Sequence, residues 1–543
     1  MGSKSTAKWC GLVSVWILIC TTSVWAVTVP GANVRLNGDP PGVRQVEPMV
    51  AVDPLDPAHL VAVGEESVDR DPDTTNVRVW VSHDGGQKWE DAGLLAGHAV
   101  RQLNPSVSFC RDGVVWAAVQ DLDPPSAVAF LVYRSTDGGM TWEERTPARD
   151  AAASQDLPML VCDDSDGPFQ GRLYLRYSST GKIFVVRSDD QAATWSDPVR
   201  VDAGGTITSN FPGEMAIGPS SEVWIGFVKN TSPMDIRTVT SFDGGVSWDP
   251  PQPVGPVDLV NATPYDYRRS SRPTLAVDRS DGSFRGGVHL VYASEPDGLT
   301  SDVLYSRHPP GPGSWLPPVI LGDAPAGTNQ DFPLVRVGPR GVVSIFWYDH
   351  RNDTGDGRLD VWGTTSQDAG STFEPSFAIN DSPFTVPTGA GALLGDHLAQ
   401  AAWSNVFLAV WTDRRRDDGD FMLSAVRMFV LDPIEGVHVT RSGGTTTVSW
   451  TSQDPVYGEA TVYDVADGSL SDLQADGGFA QAACAVSDWP DTPWDDTRSG
   501  PPAGDGRYYL LRSRTATDAS SWGSSAGAAI DARVRLDVAP PCP

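Results

Sequence analysis

One eight-residue pattern recurs along the 543-residue chain at a constant interval. It begins with serine, has aspartate two residues later and ends with tryptophan, usually with two glycines in between. An interval of 53 residues separates the first four copies, and a period of this length is typical of folds built from one repeated supersecondary unit. A fifth copy ends in phenylalanine and a sixth lacks the aspartate. The copies are Ser82–Trp89, Ser135–Trp142, Ser188–Trp195, Ser241–Trp248, Ser366–Phe373 and Ser306–Trp315.

Each copy has the chemistry of a tight turn that ends in an aromatic anchor. Aspartate accepts backbone N–H groups in turns, and glycine adopts the positive φ angles that such turns require. Short apolar segments with strand character precede each copy, and most units open with an X-Pro pair such as Glu47-Pro48 or Phe332-Pro333. Four short antiparallel strands per unit predict the blade of a β-propeller, a fold with only short, protected sheet edges.

The number of these openings predicts the number of blades. Seven occur, and the last, near Asp396-His397, lacks proline. We therefore expect seven blades, with six as the alternative. The seventh unit ends without a turn motif or a fourth strand. Ala32–Leu36 resembles the strands that follow the turns in other units, so we expect it to pair with the last blade and protect its open edge.

Charge and the first residues predict the compartment. The chain has 40 basic and 69 acidic residues, a formal net charge of −29, which disfavours a nucleic acid or an anionic membrane surface as a partner. Lys4 and Lys8 precede an apolar run that ends at the small-residue site Val24–Ala26. This pattern predicts a signal peptide over residues 1–26, with a membrane anchor as the alternative. We expect a monomer that is secreted or periplasmic and free of the membrane after cleavage.

Four cysteines follow the signal segment. Cys110 and Cys162 occupy nearly equivalent points of two successive repeats, while Cys484 and Cys542 lie in a distinct C-terminal region. The economical pairing is therefore Cys110–Cys162 and Cys484–Cys542. Metal binding is the alternative, although no Cys-x-x-Cys spacing occurs.

The repeated pattern is the Asp box, and residues 27–432 resemble the sialidase (neuraminidase) superfamily of Asp-box, or BNR-repeat, β-propellers. Residues 433–543 resemble a fibronectin type III β-sandwich, through Thr447–Trp450 and Arg507–Arg512. Leu394–His397 and Val410–Arg414 are similar to a pattern of exported bacterial sialidase-like proteins. The resemblance implies an all-β chain, a propeller followed by a small sandwich, that acts as an exo-α-sialidase-type glycoside hydrolase on sialylated or other anionic glycans.

Propeller topology predicts that functional residues lie at the end opposite the Asp boxes. Sialidase chemistry needs arginines for the substrate carboxylate, a tyrosine nucleophile and acidic partners. By loop position, we expect Arg272, Arg351 and Arg414 to converge on one mouth of the channel. With Arg268 they are the candidate substrate-binding residues, whereas the candidate catalytic residues are Tyr348, Tyr267, Asp349, Asp413 and Glu47. A buried ion pair that clamps loops is the alternative for each aspartate and arginine.

Two other functions stay open. The first-arginine motif of the family, Arg-Ile-Pro, is absent near Arg44 and elsewhere, which favours a non-catalytic glycan- or protein-binding propeller. The third alternative is a hydrolase or lyase of another acidic polysaccharide. We expect no cofactor. Two acidic loops are candidates for structural Ca²⁺, with Asx-Gly turns as the alternative; their carboxylates are Asp163, Asp166, Asp278 and Asp281.

Overall fold

The structure is a computed structural model that describes most of the chain between residues 27 and 514. The predicted signal peptide lies outside the described residues, within which no helix is long and apolar enough to cross a membrane. The described segments are residues 27–38, 42–68, 75–97, 101–123, 127–152, 154–202, 210–260, 269–296, 298, 300–353, 357–386, 394–403, 406–416, 419–429, 434, 437–442, 445–452, 462–471, 481–490, 492–499 and 507–514.

Seven antiparallel sheets of at least four strands follow one another along the described chain, as the repeat predicts. The chain begins with β1 (Val27–Pro30) and β2 (Val34–Arg35). Blade 1 contains β3 (Val43–Val52), β4 (Leu60–Val68), β5 (Asn76–Ser82) and β6 (Glu90–Leu94). Blade 2 contains β7 (Arg101–Phe109), β8 (Val115–Asp123), β9 (Ala127–Ser135), β10 (Glu143–Glu144) and β11 (Arg149–Ala152). Blade 3 contains β12 (Gln155–Cys162), β13 (Leu173–Ser179), β14 (Lys182–Ser188) and β15 (Val199–Arg200).

The next four blades repeat this order from the channel outwards. Blade 4 contains β16 (Phe211–Ile217), β17 (Val223–Lys229), β18 (Asp235–Ser241) and β19 (Gln252–Pro256). Blade 5 contains β20 (Thr274–Val277), β21 (Val288–Ser294), β22 (Asp302–His308) and β23 (Val319–Leu321). Blade 6 contains β24 (Gln330–Val337), β25 (Val343–Asp349), β26 (Arg358–Ser366), β27 (Phe377–Ala378) and β28 (Phe384–Thr385). Blade 7 contains β29 (Ala399–Trp403), β30 (Val406–Asp413) and β31 (Asp420–Phe429).

The N-terminal strands complete blade 7 and close the ring. Val34 of β2 pairs with Leu423 of β31, as predicted. β1, which the sequence did not predict, pairs along the same strand. A separate apolar cluster fills each of the seven interfaces between neighbouring blades, including the interface of blade 7 with blade 1. The closing strands therefore belong to a continuous ring of cores.

The inner strands contain a β-bulge at the X-Pro position. Their pairing with the second strand shifts register there in blades 1, 2, 3, 4 and 6. Proline has no N–H to donate, so the ladder is interrupted and the chain bends. The residue before proline has a positive φ angle at Glu47, Asn104, Leu157 and Phe332. The bulges thereby direct backbone and side chains of successive blades towards the channel.

The Asp boxes lie at the opposite end of the blades and join them to one another. In the box of blade 2, Asp137 Oδ1 accepts the N–H of Thr141 at 2.9 Å, as the turn chemistry predicts. Donors from the preceding blade reach the carbonyl groups of the boxes: His59 Nε2 donates to Gly138 at 2.8 Å, and Arg172 Nη1 to Gly244 at 2.7 Å. Each such bond connects a turn to its neighbour in the ring.

The predicted disulfide between Cys110 and Cys162 is present, with 5.3 Å between the Cα atoms. It joins the ends of the inner strands of blades 2 and 3. Cys484 is disulfide-bonded as well, and its predicted partner Cys542 lies outside the described residues.

A small sandwich of two three-stranded sheets follows the propeller. Its core contains Trp450, Tyr463, Trp494 and Leu511. One sheet contains β32 (His438–Ser442), β33 (Thr445–Ser449) and β36 (Trp494–Asp496), and the other β34 (Val462–Ser469), β35 (Ala483–Trp489) and β37 (Arg507–Arg514).

Candidate functional site

A cavity occupies the centre of the ring at the level of the inner-strand bulges. Residues from all seven blades line it, and the volume inside it that a water-sized sphere can occupy is about 120 Å³. Much of its apolar wall consists of the prolines Pro105, Pro158, Pro212, Pro273 and Pro333.

Two ion pairs connect non-neighbouring blades across this cavity. Arg336 of blade 6 donates two bonds to Glu214 of blade 4, at 3.0 Å from Nη1 to Oε2 and 2.6 Å from Nη2 to Oε1. Arg272, before β20 of blade 5, pairs with Asp396, before β29 of blade 7. Both pairs bypass the blade between them because these side chains extend into the channel.

A third guanidinium group lines the cavity and has no carboxylate partner among the described residues. Arg176 on β13 is 6% exposed, and its Nη1 donates to the carbonyl oxygen of Leu157 at 2.9 Å. Its buried Nε has no hydrogen-bond partner among the described residues. Burial, together with the positive charge of Arg272, lowers the pKa of Arg176 to about 9. A buried, incompletely bonded cation of this kind is costly, and a bound anion would offset the cost.

His397 forms part of the wall beside these arginines. Its ring donates to the carbonyl oxygen of Pro48, and burial and the charge of Arg272 lower its pKa to about 4. The imidazole is therefore neutral at pH 7, and the net charge of the cavity depends on the arginines and carboxylates.

A pair of carboxyl groups lies directly behind the wall on blade 1. Glu65 on β4 and Glu47 on the adjacent strand β3 are both buried. Glu65 Oε1 also accepts the N–H of Asn104, a lining residue, at 2.7 Å. Burial raises the pKa of Glu65 to about 7. Glu47, a candidate catalytic residue, thus adjoins the cavity but is not one of its lining residues.

Tyr348, the candidate nucleophile, lies in the protein core and not at the cavity. The side chain is 1% exposed and packs between Phe332 and Phe384 in the core of blades 6 and 7. Its hydroxyl oxygen accepts the N–H of Thr412 at 3.1 Å, and burial raises its pKa. Tyr267 and Arg268 lie outside the described residues.

Asp349 and Asp413, two candidate catalytic residues, form equivalent buried ion pairs in neighbouring blades and do not line the cavity. Each side chain is fully buried and accepts the indole N–H of the tryptophan two residues earlier, at 2.8 Å in blade 6 and 2.9 Å in blade 7. Each also binds the guanidinium group of the arginine two residues later, Arg351 or Arg415. These carboxylates are committed to structural bonds.

Only one described arginine of the predicted cluster reaches the cavity, namely Arg272. Arg351 turns into its own blade, where it stacks on Trp362 at 3.7 Å and pairs with Asp349 and Asp323. Arg414 is half-buried and does not line the cavity. The expected convergence of Arg272, Arg351 and Arg414 is therefore wrong, since loop position fixes the end of the ring but not the direction of a side chain.

The two acidic loops have the geometry of Asx turns. Asp163 Oδ1 accepts the N–H of Ser165 at 3.0 Å, and Asp278 Oδ1 accepts that of Ser280 at 2.8 Å. Asp166 pairs with Arg111, and Asp281 is exposed. Within the described part of the chain, no group of three or more acidic, histidine or cysteine side chains could hold a metal ion.

Sequence reasoning missed Arg176, Glu214 and Arg336. Two of them had a usable signal: Glu214 and Arg336 are charged residues within apolar inner strands, just after an X-Pro pair. A charge at such a position must face the channel, because both faces of the sheet are covered by neighbouring blades. Arg176, on a second strand, has no comparable signal.

No family model and no curated protein match the sequence. Among solved structures, a Dyadobacter fermentans protein of unknown function is 13% identical, with 74% of this chain and 99% of that chain covered and a TM-score of 0.44. A Penicillium chrysogenum α-L-arabinanase complexed with arabinobiose is 14% identical, with coverages of 74% and 98% and a TM-score of 0.39. A leech intramolecular trans-sialidase is 11% identical, with coverages of 65% and 70% and a TM-score of 0.39.

Proposed function

We propose that the protein binds an anionic glycan in the central cavity and acts on it as a sialidase-like glycoside hydrolase. The observation that supports this proposal is the charge of the wall. Arg176, Arg272 and Arg336 face the carboxylates of Glu214 and Asp396, which leaves one net positive charge in a chain of net charge −29. A sugar carboxylate accepts two parallel bonds from a guanidinium group and would neutralise this charge.

Arg176 is the proposed receptor of the sugar carboxylate. It is the lining arginine without a carboxylate partner among the described residues, whereas Arg272 and Arg336 are paired. The guanidinium group of Arg176 is already buried in the folded protein, so ligand binding requires little further removal of water from it. Binding of an anion would therefore gain the full charge-assisted interaction.

Hydrolysis of a glycosidic bond commonly uses two carboxyl groups on opposite sides of the bond. Glu214 and Asp396 are the carboxylates of the wall and belong to non-neighbouring blades. In the proposal, one of them, protonated, gives its proton to the leaving-group oxygen as the glycosidic bond breaks, and the other takes a proton from the water whose oxygen bonds to the anomeric carbon. The substitutions Glu214→Gln and Asp396→Asn should then each abolish turnover.

A fluorogenic sialoside tests this function with the purified protein. We expect release of the fluorophore and competition by free N-acetylneuraminic acid. A galacturonide measured in parallel distinguishes a sialidase from a hydrolase of another acidic polysaccharide. If neither substrate is cleaved and neither free sugar acid binds, the proposal is wrong.

One observation favours a second candidate, non-catalytic glycan binding. No tyrosine occurs among the described lining residues, and both lining carboxylates are already paired with arginine. Titration calorimetry separates the two candidates. Binding of N-acetylneuraminic acid without turnover of the sialoside would support non-catalytic glycan binding.

A further inference from the structure

Arg176, the proposed receptor of the sugar carboxylate, donates to a sulfur atom as well as to a carbonyl group. Its Nη2 lies 3.3 Å from Sδ of Met159, the residue directly opposite Arg176 in the pairing of β12 with β13. The backbone N–H of Met215 on blade 4 donates to the same sulfur, also at 3.3 Å. Met159 therefore connects the guanidinium group to the inner strand of the next blade.

The thioether of Met159 is a weak partner for a buried cation. It has no charge and is a poor acceptor, so it orients the guanidinium group without neutralising it. A carboxylate in this place would form a much stronger bond, as Glu214 does with Arg336, and it would compete with a ligand. Met159 thus leaves the charge of Arg176 available to a sugar acid.

Met159 is accessible from the cavity. The residue is half-buried and belongs to the cavity wall. The cavity admits spheres the size of a water molecule, and hydrogen peroxide is only slightly larger than water. Met215, by contrast, is 2% exposed and does not line the cavity. A small oxidant in the cavity therefore reaches Met159 before Met215.

We propose that Met159 is a modification site, at which oxidation of the thioether to the sulfoxide weakens anion binding. The inference rests on the proposed binding of a sugar acid to Arg176. In the reaction, the sulfur attacks one oxygen of hydrogen peroxide, so that the O–O bond breaks and an S=O bond forms. The other oxygen leaves with both protons as water. The sulfur loses an electron pair, and the peroxide gains it.

The new oxygen changes what Arg176 can bind. A sulfoxide is polar and accepts hydrogen bonds through its oxygen, whereas the thioether accepts only weakly. The side chain of Met159 has three rotatable bonds, so it can shift until this oxygen meets the guanidinium group. The oxygen then occupies a donor that the sugar carboxylate needs, and it fills part of a cavity with about 120 Å³ of water-accessible volume. Both effects lower the affinity for the anion.

Treatment of the purified, folded protein with hydrogen peroxide tests the inference. Peptide mapping by mass spectrometry measures the oxygen added to each methionine. Titration calorimetry measures the affinity for N-acetylneuraminic acid before and after treatment. We expect Met159 to gain one oxygen atom, Met215 to resist, and the affinity to fall about tenfold, which is the order of one net hydrogen bond.

Variants assign the fall in affinity to Met159. Met159→Leu keeps most of the side-chain volume and has no sulfur, so its affinity should stay constant under peroxide. Met159→Gln places a neutral oxygen acceptor beside Arg176 and should bind the sugar acid about tenfold more weakly without any peroxide. This measurement provides a second test if Met159→Leu fails to fold.

Met49→Leu is the matched control. Met49 is also half-buried in the cavity wall, but the structure shows no hydrogen bond to it from a described arginine. The control should keep the native response to peroxide, since its Met159 and Arg176 are unchanged.

The outcomes separate this inference from the proposed function. An unchanged affinity after Met159 is oxidised, or a fall that persists in Met159→Leu, overturns the inference while sugar-acid binding stands. The same holds if Met159 resists oxidation in the folded protein, or if Met159→Gln binds as tightly as the native protein. Absence of sugar-acid binding before treatment overturns both. A fall that is lost in Met159→Leu, kept in Met49→Leu and reproduced by Met159→Gln supports both.

Discussion

The Asp-box end and the cavity end of the propeller contain the same kinds of polar side chain in different arrangements. At the box end, Asp137 and its counterparts accept several bonds within their own turn, and Arg172 or His59 completes the next turn in the ring. At the cavity end, Arg336 and Arg272 reach past a neighbouring blade to their partners, and Arg176 has no carboxylate partner among the described residues.

This difference indicates what each end does. Satisfied local bonds at the box end stabilise turns and connect blades. Buried charges at the cavity end cost folding free energy, and a charge without an opposite partner is useful when a ligand of opposite charge arrives. We therefore expect substitutions at the box end to change stability alone, and substitutions at the cavity end to change ligand affinity first.

The largest expected effect concerns the disulfide at the box end. Replacing both Cys110 and Cys162 by alanine removes a cross-link between residues 52 apart and should lower the free energy of unfolding by about 4 kcal/mol. Denaturant unfolding measures this loss. Affinity for N-acetylneuraminic acid should stay unchanged, and a parallel loss of affinity would contradict the separation of the two ends.

At the cavity end, Arg176→Met removes the guanidinium group but keeps much of the side-chain volume. We expect affinity for a sugar acid to fall about 10- to 150-fold, which corresponds to about 1.5 to 3 kcal/mol for a charge-assisted bond. The free energy of unfolding should be equal or higher, because a costly buried charge is removed.

Arg172→Met is the matched control for this prediction, since Arg172 is also partly buried but binds a box carbonyl and Asp189. It should lower stability and leave affinity unchanged. If Arg176→Met destabilises the protein without weakening binding, Arg176 is structural.

A smaller effect is expected for a single Asp box. Asp137→Ala removes the acceptor of the N–H and hydroxyl of Thr141 and of the hydroxyl of Ser135. By analogy with helix caps, the cost should be about 1 kcal/mol of unfolding free energy. Asp137→Asn retains one acceptor oxygen and should cost less. Thermal unfolding at neutral pH measures both, and equal costs for the two variants would show that the hydrogen bonds contribute little.

The pH dependence of stability also separates the two regions, because its sign differs between the two ends. Hydrogen bonds lower the pKa of Asp190 and Asp243 to about 2, so their contribution is present above the ordinary aspartate pKa and is lost as the pH falls towards 2. Burial raises the pKa of Glu65 to about 7, so its contribution is present below the ordinary glutamate pKa and is lost as the pH rises through 7.

Unfolding measured across this range tests both signs. Asp243→Asn should reduce the slope of the unfolding free energy against pH only at acid pH. Glu65→Gln should reduce that slope only near neutral pH. If the slope near neutral pH is unchanged in Glu65→Gln, another titrating group causes it.

Much of the propeller could be predicted from the sequence because its determinants are local. Turn motifs, X-Pro openings and apolar strands predicted the blade and the favoured number of blades. The unmatched segment Ala32–Leu36 predicted the ring closure that β2 provides. The disulfide between Cys110 and Cys162 followed from repeat equivalence. β1 was missed because Val27–Pro30 adjoins the predicted signal segment and has no turn motif beside it.

The site was predicted less well, because it depends on which way side chains point. Loop position correctly placed Arg272 at the cavity, but Arg351 lies in its own blade, where Asp349 and Trp362 offer closer partners. Tyr348 follows Trp347 on a strand whose two faces are both covered, so its hydroxyl is buried against Thr412.

The sequence by itself determined the repeating unit, since the bonds of an Asp box and the bend at an X-Pro pair form within a few residues of one another. Only the tertiary structure decided which charges meet at the centre. Glu214 and Arg336 are 122 residues apart, and Arg272 and Asp396 are 124 apart. Their contacts exist because seven bulged strands converge on one channel, and no local pattern encodes the angle at which two distant blades face each other.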